Sequence, residues 1–156
     1  MSDPIRFEFD LKAFDEALNK LDGVARGEAL GRVAHAIAFR IEGQAKINAA
    51  GTFIHTPPHD LIPSIQTQAP VVISDRHAEC DVNVGSIYGA IREFGGMIKA
   101  TNGAYLTFRT EDGAWHRVPS VMHPAQPYIR PAVDDEEDLQ AVGEANLELE
   151  IRAAGI

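Results

Sequence analysis

The sequence predicts an α+β domain, a small antiparallel sheet packed by a long central helix and a C-terminal helix. Three observations point there. One apolar stripe of helical period runs from about Glu28 to Asn48. Two pairs of short alternating segments are each joined by turn residues. Helical and antiparallel patterns are segregated along the chain and do not alternate as βαβ units.

The first element is a strand, because Ile5, Phe7 and Phe9 alternate with polar residues. Asp10 is a candidate cap for a short helix carrying Leu11, Phe14, Leu18 and Leu21, with Gly23 as its predicted stop. The long helix follows. Leu30, Val33, Ile37, Ile41 and Ala45 form its main stripe, and Ala36, Phe39, Gly43 and Ile47 form a second one on another face. A helix apolar on two faces must be covered on both. The expectation is a central core helix, and the alternative is a helix at a subunit contact. Gly31 and Gly43 each cost about 1 kcal/mol of helix propensity relative to Ala, which is tolerable where another backbone packs closely.

Ala49-Ala50-Gly51 is the predicted end of that helix. Pro57, Pro58 and Pro63 then make 52–68 an irregular loop, because proline excludes a regular helix or a central strand. Val71, Val72 and Ile73 read as a strand, Asp75-Arg76-His77 as a turn, and Cys80, Val82 and Val84 as the strand that completes a hairpin. Ile87 to Phe94 reads as a short helix closed by Gly95-Gly96. Leu106 and Phe108 pair with Trp115 to Val118 across Glu111-Asp112-Gly113, and Pro119 ends the pair, so a hairpin insertion falls at about 97–122. The last helix is expected from Pro131, with Asp134, Asp135, Glu136 and Glu137 in its first turns, where the helix dipole favours negative charge. Leu139, Val142, Leu147, Leu149 and Ile151 supply its apolar face.

With 156 residues, 45% of them hydrophobic, the chain reads as one domain spanning 1–156. Its single cysteine, Cys80, excludes an internal disulfide framework and a multi-cysteine zinc site. No apolar run approaches the ~18 residues of a membrane span, and no basic-then-apolar leader opens the chain. The expectation is a soluble protein made inside the cell. Fourteen Lys+Arg against 23 Asp+Glu give a net charge of −9, which argues against a phosphate-binding surface over the whole molecule.

Candidate chemistry is sparse. His55 and His59 flank Thr56-Pro57-Pro58, with Asp60 beside them. Such a pair meets on one face only in a helix, and in an extended chain the rings stand more than ~10 Å apart. A small metal-dependent hydrolase using His55, His59 and Asp60 is therefore a remote alternative. Cys80 sits among valines as an expected structural thiol. Asp60 and Glu93 would form an acid pair only by a tertiary coincidence. No nucleophile elbow or phosphate-binding glycine loop is present, so no enzyme, cofactor or resident metal is expected. Trp115 is expected to pack against the sheet, with an interface anchor as the alternative.

Two segments carry more specific information. The first is Val84-Gly85-Ser86-Ile87-Tyr88-Gly89-Ala90-Ile91-Arg92-Glu93-Phe94-Gly95-Gly96. The second is Pro124-Ala125-Gln126-Pro127-Tyr128-Ile129-Arg130-Pro131-Ala132, ahead of the acidic helix. In this order they resemble the tail-completion, or neck, proteins of long-tailed bacteriophages, the virion-morphogenesis family of minor tail proteins. That family carries a Tyr-Ala, two residues, Glu-Phe-Gly segment and later a Gln-Pro-Phe, apolar, Arg-Pro-Ala segment. Here Gly89 stands where alanine is common and Tyr128 where phenylalanine is usual. The loop Thr56-Pro57-Pro58-His59-Asp60-Leu61-Ile62-Pro63-Ser64-Ile65 lacks the family's Asp-Thr-Gly.

The resemblance implies a non-enzymatic structural part of the virion, assembled in the bacterial host cytoplasm. It implies a closed homo-oligomeric ring, six-fold by expectation, between a head-side connector or stopper and the tail tube or its terminator. Genomic DNA would pass through without specific binding, and no membrane is involved. A tail-tube terminator is the alternative within the same assembly. The expected interface residues are Phe39, Tyr88, Arg92, Glu93, Phe94, Trp115, Tyr128 and Arg130, with the two-striped helix, the Gly95–Tyr105 loop and the C-terminal helix as contact surfaces. An acidic lumen would repel DNA phosphates. In physical terms, Pro124, Pro127 and Pro131 stiffen a strap into the last helix, from which Tyr128 and Ile129 dock, and Gly95-Gly96 permit a sharp exit from the short helix.

Overall fold

The computed structural model describes residues 15–52, 60–101, 103–110 and 112–155. The strand expected at Ile5–Phe9, the start of the short helix with its Asp10 cap, Leu11 and Phe14, and His55 and His59 lie outside the described residues. The α+β class holds, with helices packed on small antiparallel ladders.

Helix α1 is a single turn, Asp15–Leu18. Gly23, expected to stop it, instead opens the long helix α2, Gly23–Thr52. The reason is Asp22. Its Oδ1 accepts the Ala25 N–H at 2.8 Å, satisfying a backbone donor that a helix start leaves without a partner. At the other end Ala49-Ala50-Gly51 does not stop the helix, which continues through Thr52.

The main stripe of α2 is the core. Val33, Ile37, Ile41, Ala45 and Ala49 are buried with Leu61, Ile65, Tyr128, Ala132, Leu139 and Leu147. Helix α6, Glu136–Ala153, lies antiparallel to α2, with Leu139, Gly143 and Leu147 buried along one line at spacing four. Two ion pairs mark the same register: Arg32 to Glu150 and Arg40 to Asp138, each 2.8 Å. The C-terminal helix is not continuous from Pro131. A turn, α5, Arg130–Val133, ends at Asp134, and α6 begins afresh because the Asp135 side chain accepts the Asp138 N–H at 3.3 Å. Within that acidic run only Glu136, Glu137 and Asp138 occupy a first turn.

Two of the antiparallel ladders pack against α2. In the proline-containing segment Leu61–Ser64 forms one turn, α3, in which Pro63 sits where its missing N–H is no loss. Strand β1, Ile65–Thr67, then pairs antiparallel with β4, Val82–Val84. The expected hairpin is therefore corrected. Strand β2, Val71–Ser74, turns at Asp75-Arg76 and pairs with the short β3, His77–Glu79, while Cys80 lies between the strands and Val82 and Val84 belong to the other ladder. Glycine lets β2 approach α2: a Cβ on Gly27 would stand 2.8 Å from Val72 Cγ1, and one on Gly31 3.2 Å from Val72 Cγ2. Gly43 has no such neighbour within 4 Å.

Helix α4 is Gly89–Phe94. Beyond it the chain forms an arm. Strand β5, Gly96–Lys99, pairs with β8, Ser120–His123, and inside that ladder β6, Leu106–Arg109, pairs with β7, Trp115–Val118. The inner pair and its turn at Gly113 (φ 84°) follow the sequence expectation. The outer pair extends it, since the chain resumes pairing immediately after Pro119. Among the described residues, the arm's strands pair only with each other. No described helix is long and apolar enough to cross a membrane.

Candidate functional site

The two motif segments, distant in sequence, meet in one joint. Glu93, on the last turn of α4, is 6% exposed. Its carboxylate accepts three backbone N–H groups at the start of α5: Tyr128 at 2.8 Å, Ile129 at 3.0 Å and Arg130 at 3.0 Å. A helix start leaves its first N–H groups without partners, and a buried carboxylate satisfies several of them at once. Gln126 adds a second pair of contacts. Its N–H donates to the Arg92 carbonyl at 2.7 Å, and its side-chain oxygen accepts from the Arg92 guanidinium.

Tyr128, 1% exposed, fills the centre of the joint. Its hydroxyl donates to the Gly89 carbonyl at 3.3 Å, and its own carbonyl accepts from Asn48 Nδ2 of α2 at 3.0 Å. A polar chain continues along α2 from Asn48 to Gln44 to Arg40 and ends on Asp138 of α6. Gly89 is required here. A Cβ at that position would stand 2.7 Å from Val84 Cγ1 and 3.1 Å from the Tyr128 hydroxyl. Gly89 and Tyr128 thus touch each other.

Gly95 closes α4 with φ 69° and ψ −174°, a backbone region open essentially to glycine alone. The strap passes so close that a Cβ there would lie 2.7 Å from the Ala125 nitrogen. Burial pulls the Arg92 guanidinium below its ordinary pKa. Burial, and then the Glu93 carboxylate, pushes the Tyr128 phenol up to about 12.

The expected contact residues therefore divide. Glu93 and Tyr128 are buried inside the chain and hold the fold, whereas Arg92 is half-buried against Gln126. Phe39, Tyr88, Phe94, Trp115 and Arg130 are exposed. Arg130 lies over the Phe94 ring at 5.8 Å. Trp115 does not pack into a sheet face as expected; it is 72% exposed, opposite Arg109 on the arm. The second stripe of α2 is likewise uncovered, with Phe39 at 63% and Ile47 at 64% exposure, which corrects the expectation of a helix covered on both faces by its own fold. Val71, Val72, Ile73, Ile87, Met97, Met122 and Leu149 add further exposed apolar side chains.

Asn48, Gln126 and the β5–β8 pairing were not expected from sequence. Their signal is weak, since an amide that receives a strap looks like any polar helix residue. Asp60 accepts from Ser86 Oγ at 3.2 Å while Glu93 holds α5, so the two do not form an acid pair. The Cys80 thiol donates to the Gln68 carbonyl at 3.2 Å, and burial, then Asp81, pushes its pKa up. Among the described residues no group of three His, Cys, Asp or Glu side chains is placed to hold a metal ion. Comparison with protein-family models, with curated proteins and with solved structures finds no match to this chain.

Proposed function

We propose that this chain is a structural subunit of the head–tail junction of a long-tailed phage or prophage particle, in the manner of the tail-completion proteins its motifs resemble. Copies of it close into a ring, six-fold by that resemblance, between the head-side connector or stopper and the tail tube or terminator. Subunits joined head-to-tail close into a ring when each contact rotates the next copy about a common axis. The genome passes through the lumen without specific binding, because the chain's net charge of −9 favours a wall that repels phosphates.

One observation carries this reading. The two family-like segments lock together through Glu93, Gln126 and Tyr128, and the rest of the molecule leaves an arm and a helix face uncovered. Both segments are architecture, holding a rigid body from which contact surfaces project. Electron microscopy of the concentrated full chain tests it. Closed rings with an open, acidic channel are the expected particles. Discrete monomers or dimers at every concentration, or a basic channel, would contradict the reading.

A further inference from the structure

We propose that the Gly96–His123 arm docks on a second copy of this chain, setting Trp115, Arg109 and Arg117 against the neighbour's α2 at Phe39–Ile47 and its acidic α5–α6 junction. This rests on the ring reading and names the surfaces that close the ring.

The arm itself calls for a partner. An isolated two-stranded ladder is marginal in water, and the arm is two such ladders in series with no third strand among the described residues. Cross-strand partners point to one face. The register pairs Arg109 with Trp115 and Thr107 with Arg117, so these four form one face, and all are exposed. The Tyr105 ring lies 4.5 Å from the Arg117 guanidinium and adds aromatic surface beside it. The strands carry Lys99, Arg109 and Arg117 and no carboxylate, and Asp112 sits at the turn. The arm is thus a cationic, aromatic strip on a chain with 23 Asp+Glu against 14 Lys+Arg.

The complementary surface lies on the body. Phe39 and Ile47 stand on one face of α2, and between them Gly43 leaves open space where any Cβ would project. That notch suits an aromatic anchor, the kind of side chain on which interface energy concentrates. Arg40, next to Phe39 in the chain, holds Asp138 of α6, and the carboxylates that precede Asp138, Asp134, Glu136 and Glu137, are exposed. Within one chain the strip and the notch are both exposed, so neither covers the other. They are different surfaces, and a contact between them in two copies is head-to-tail, the type that generates a ring.

Charge reversal tests the pairing, with the mass of the full chain read by light scattering across a concentration series. The variant Arg109→Glu/Arg117→Glu should need about tenfold or more protein to assemble, as should Glu136→Lys/Glu137→Lys. Combining all four changes should restore assembly. Thermal midpoints near that of the parent chain show that these exposed changes leave the fold intact. As a positional check in a Cys80→Ser background, a short bis-maleimide should link Trp115→Cys chains to Phe39→Cys chains in a mixture, but link neither to itself. Assembly of the arm variant at parent concentrations, or no cross-link in the mixture, would overturn the proposal while the ring reading stood. A parent chain that never assembles would remove both.

Discussion

Replacing Glu93 by Ala removes the acceptor from three backbone N–H groups at once. Each buried donor left without a partner costs about 1–3 kcal/mol. Water entering the vacated space recovers part of this, so the expected loss is about 3–6 kcal/mol. That is a large share of the 5–15 kcal/mol typical of a folded domain. For a chain of this size it lowers the thermal midpoint by roughly 10 °C or more. Glu93→Gln keeps the shape and one acceptor oxygen. Because Oε2 serves Tyr128 and Ile129 while Oε1 serves Arg130, the amide nitrogen must face at least one N–H donor to donor. Its expected cost is about 2–3 kcal/mol. Urea unfolding followed by far-ultraviolet circular dichroism reads both variants through the helices that the joint holds. A loss below about 1 kcal/mol for the Ala variant would refute the idea that this carboxylate fastens α4 to α5.

Gly95→Ala forces a side chain into a glycine-only conformation and against the Ala125 nitrogen, so a loss of about 2–4 kcal/mol is expected in the same unfolding assay. Tyr128 should ionise near pH 12, above its ordinary 10.0, in an ultraviolet titration from which the Tyr128→Phe variant lacks that step. Because the folded state holds this proton more tightly, the phenol's contribution to stability is complete below pH 10.0 and disappears as pH rises toward 12. Burial opposes the charge on Glu42, but Lys46 and Thr67 outweigh it and hold the carboxyl below its ordinary 4.5. Its stabilisation is therefore present above pH 4.5 and lost as pH falls through the folded-state value, so Glu42→Gln should flatten the acid limb of a stability–pH curve. Replacing residues 97–122 by a short Gly-Ser turn should leave the helical core folded, with a thermal midpoint within a few degrees of the parent, yet abolish assembly in light scattering.

Local patterns in the sequence carried much of the architecture. Val33, Ile37, Ile41 and Ala45 recur at helical spacing because one face of α2 is the core, and Gly113 marks the inner hairpin turn because that turn needs a positive φ. What the sequence hid is non-local. Val82 and Val84 alternate as well beside β2 as beside β1, and only the tight turn at Asp75-Arg76 decides for β1 by ending the hairpin early. The acidic run from Asp134 to Asp138 looks like one helix start, but Asp135 caps a new one and splits it. The two motif segments were legible as stiff architecture. That Glu93 is the socket for Tyr128, Ile129 and Arg130 was not, because a glutamate in a short helix declares no partner some 35 residues away. Exposure of Trp115 was equally hidden, since a lone tryptophan on a strand reads as core until the arm is seen to stand apart.

Labelling virions with antibodies against this chain tests its place in the particle most directly. The account predicts gold at a single site, the junction of head and tail, on particles made by the cell that encodes it. Purified particles that lack the chain, or labelling spread over the capsid or along the tail, would contradict it.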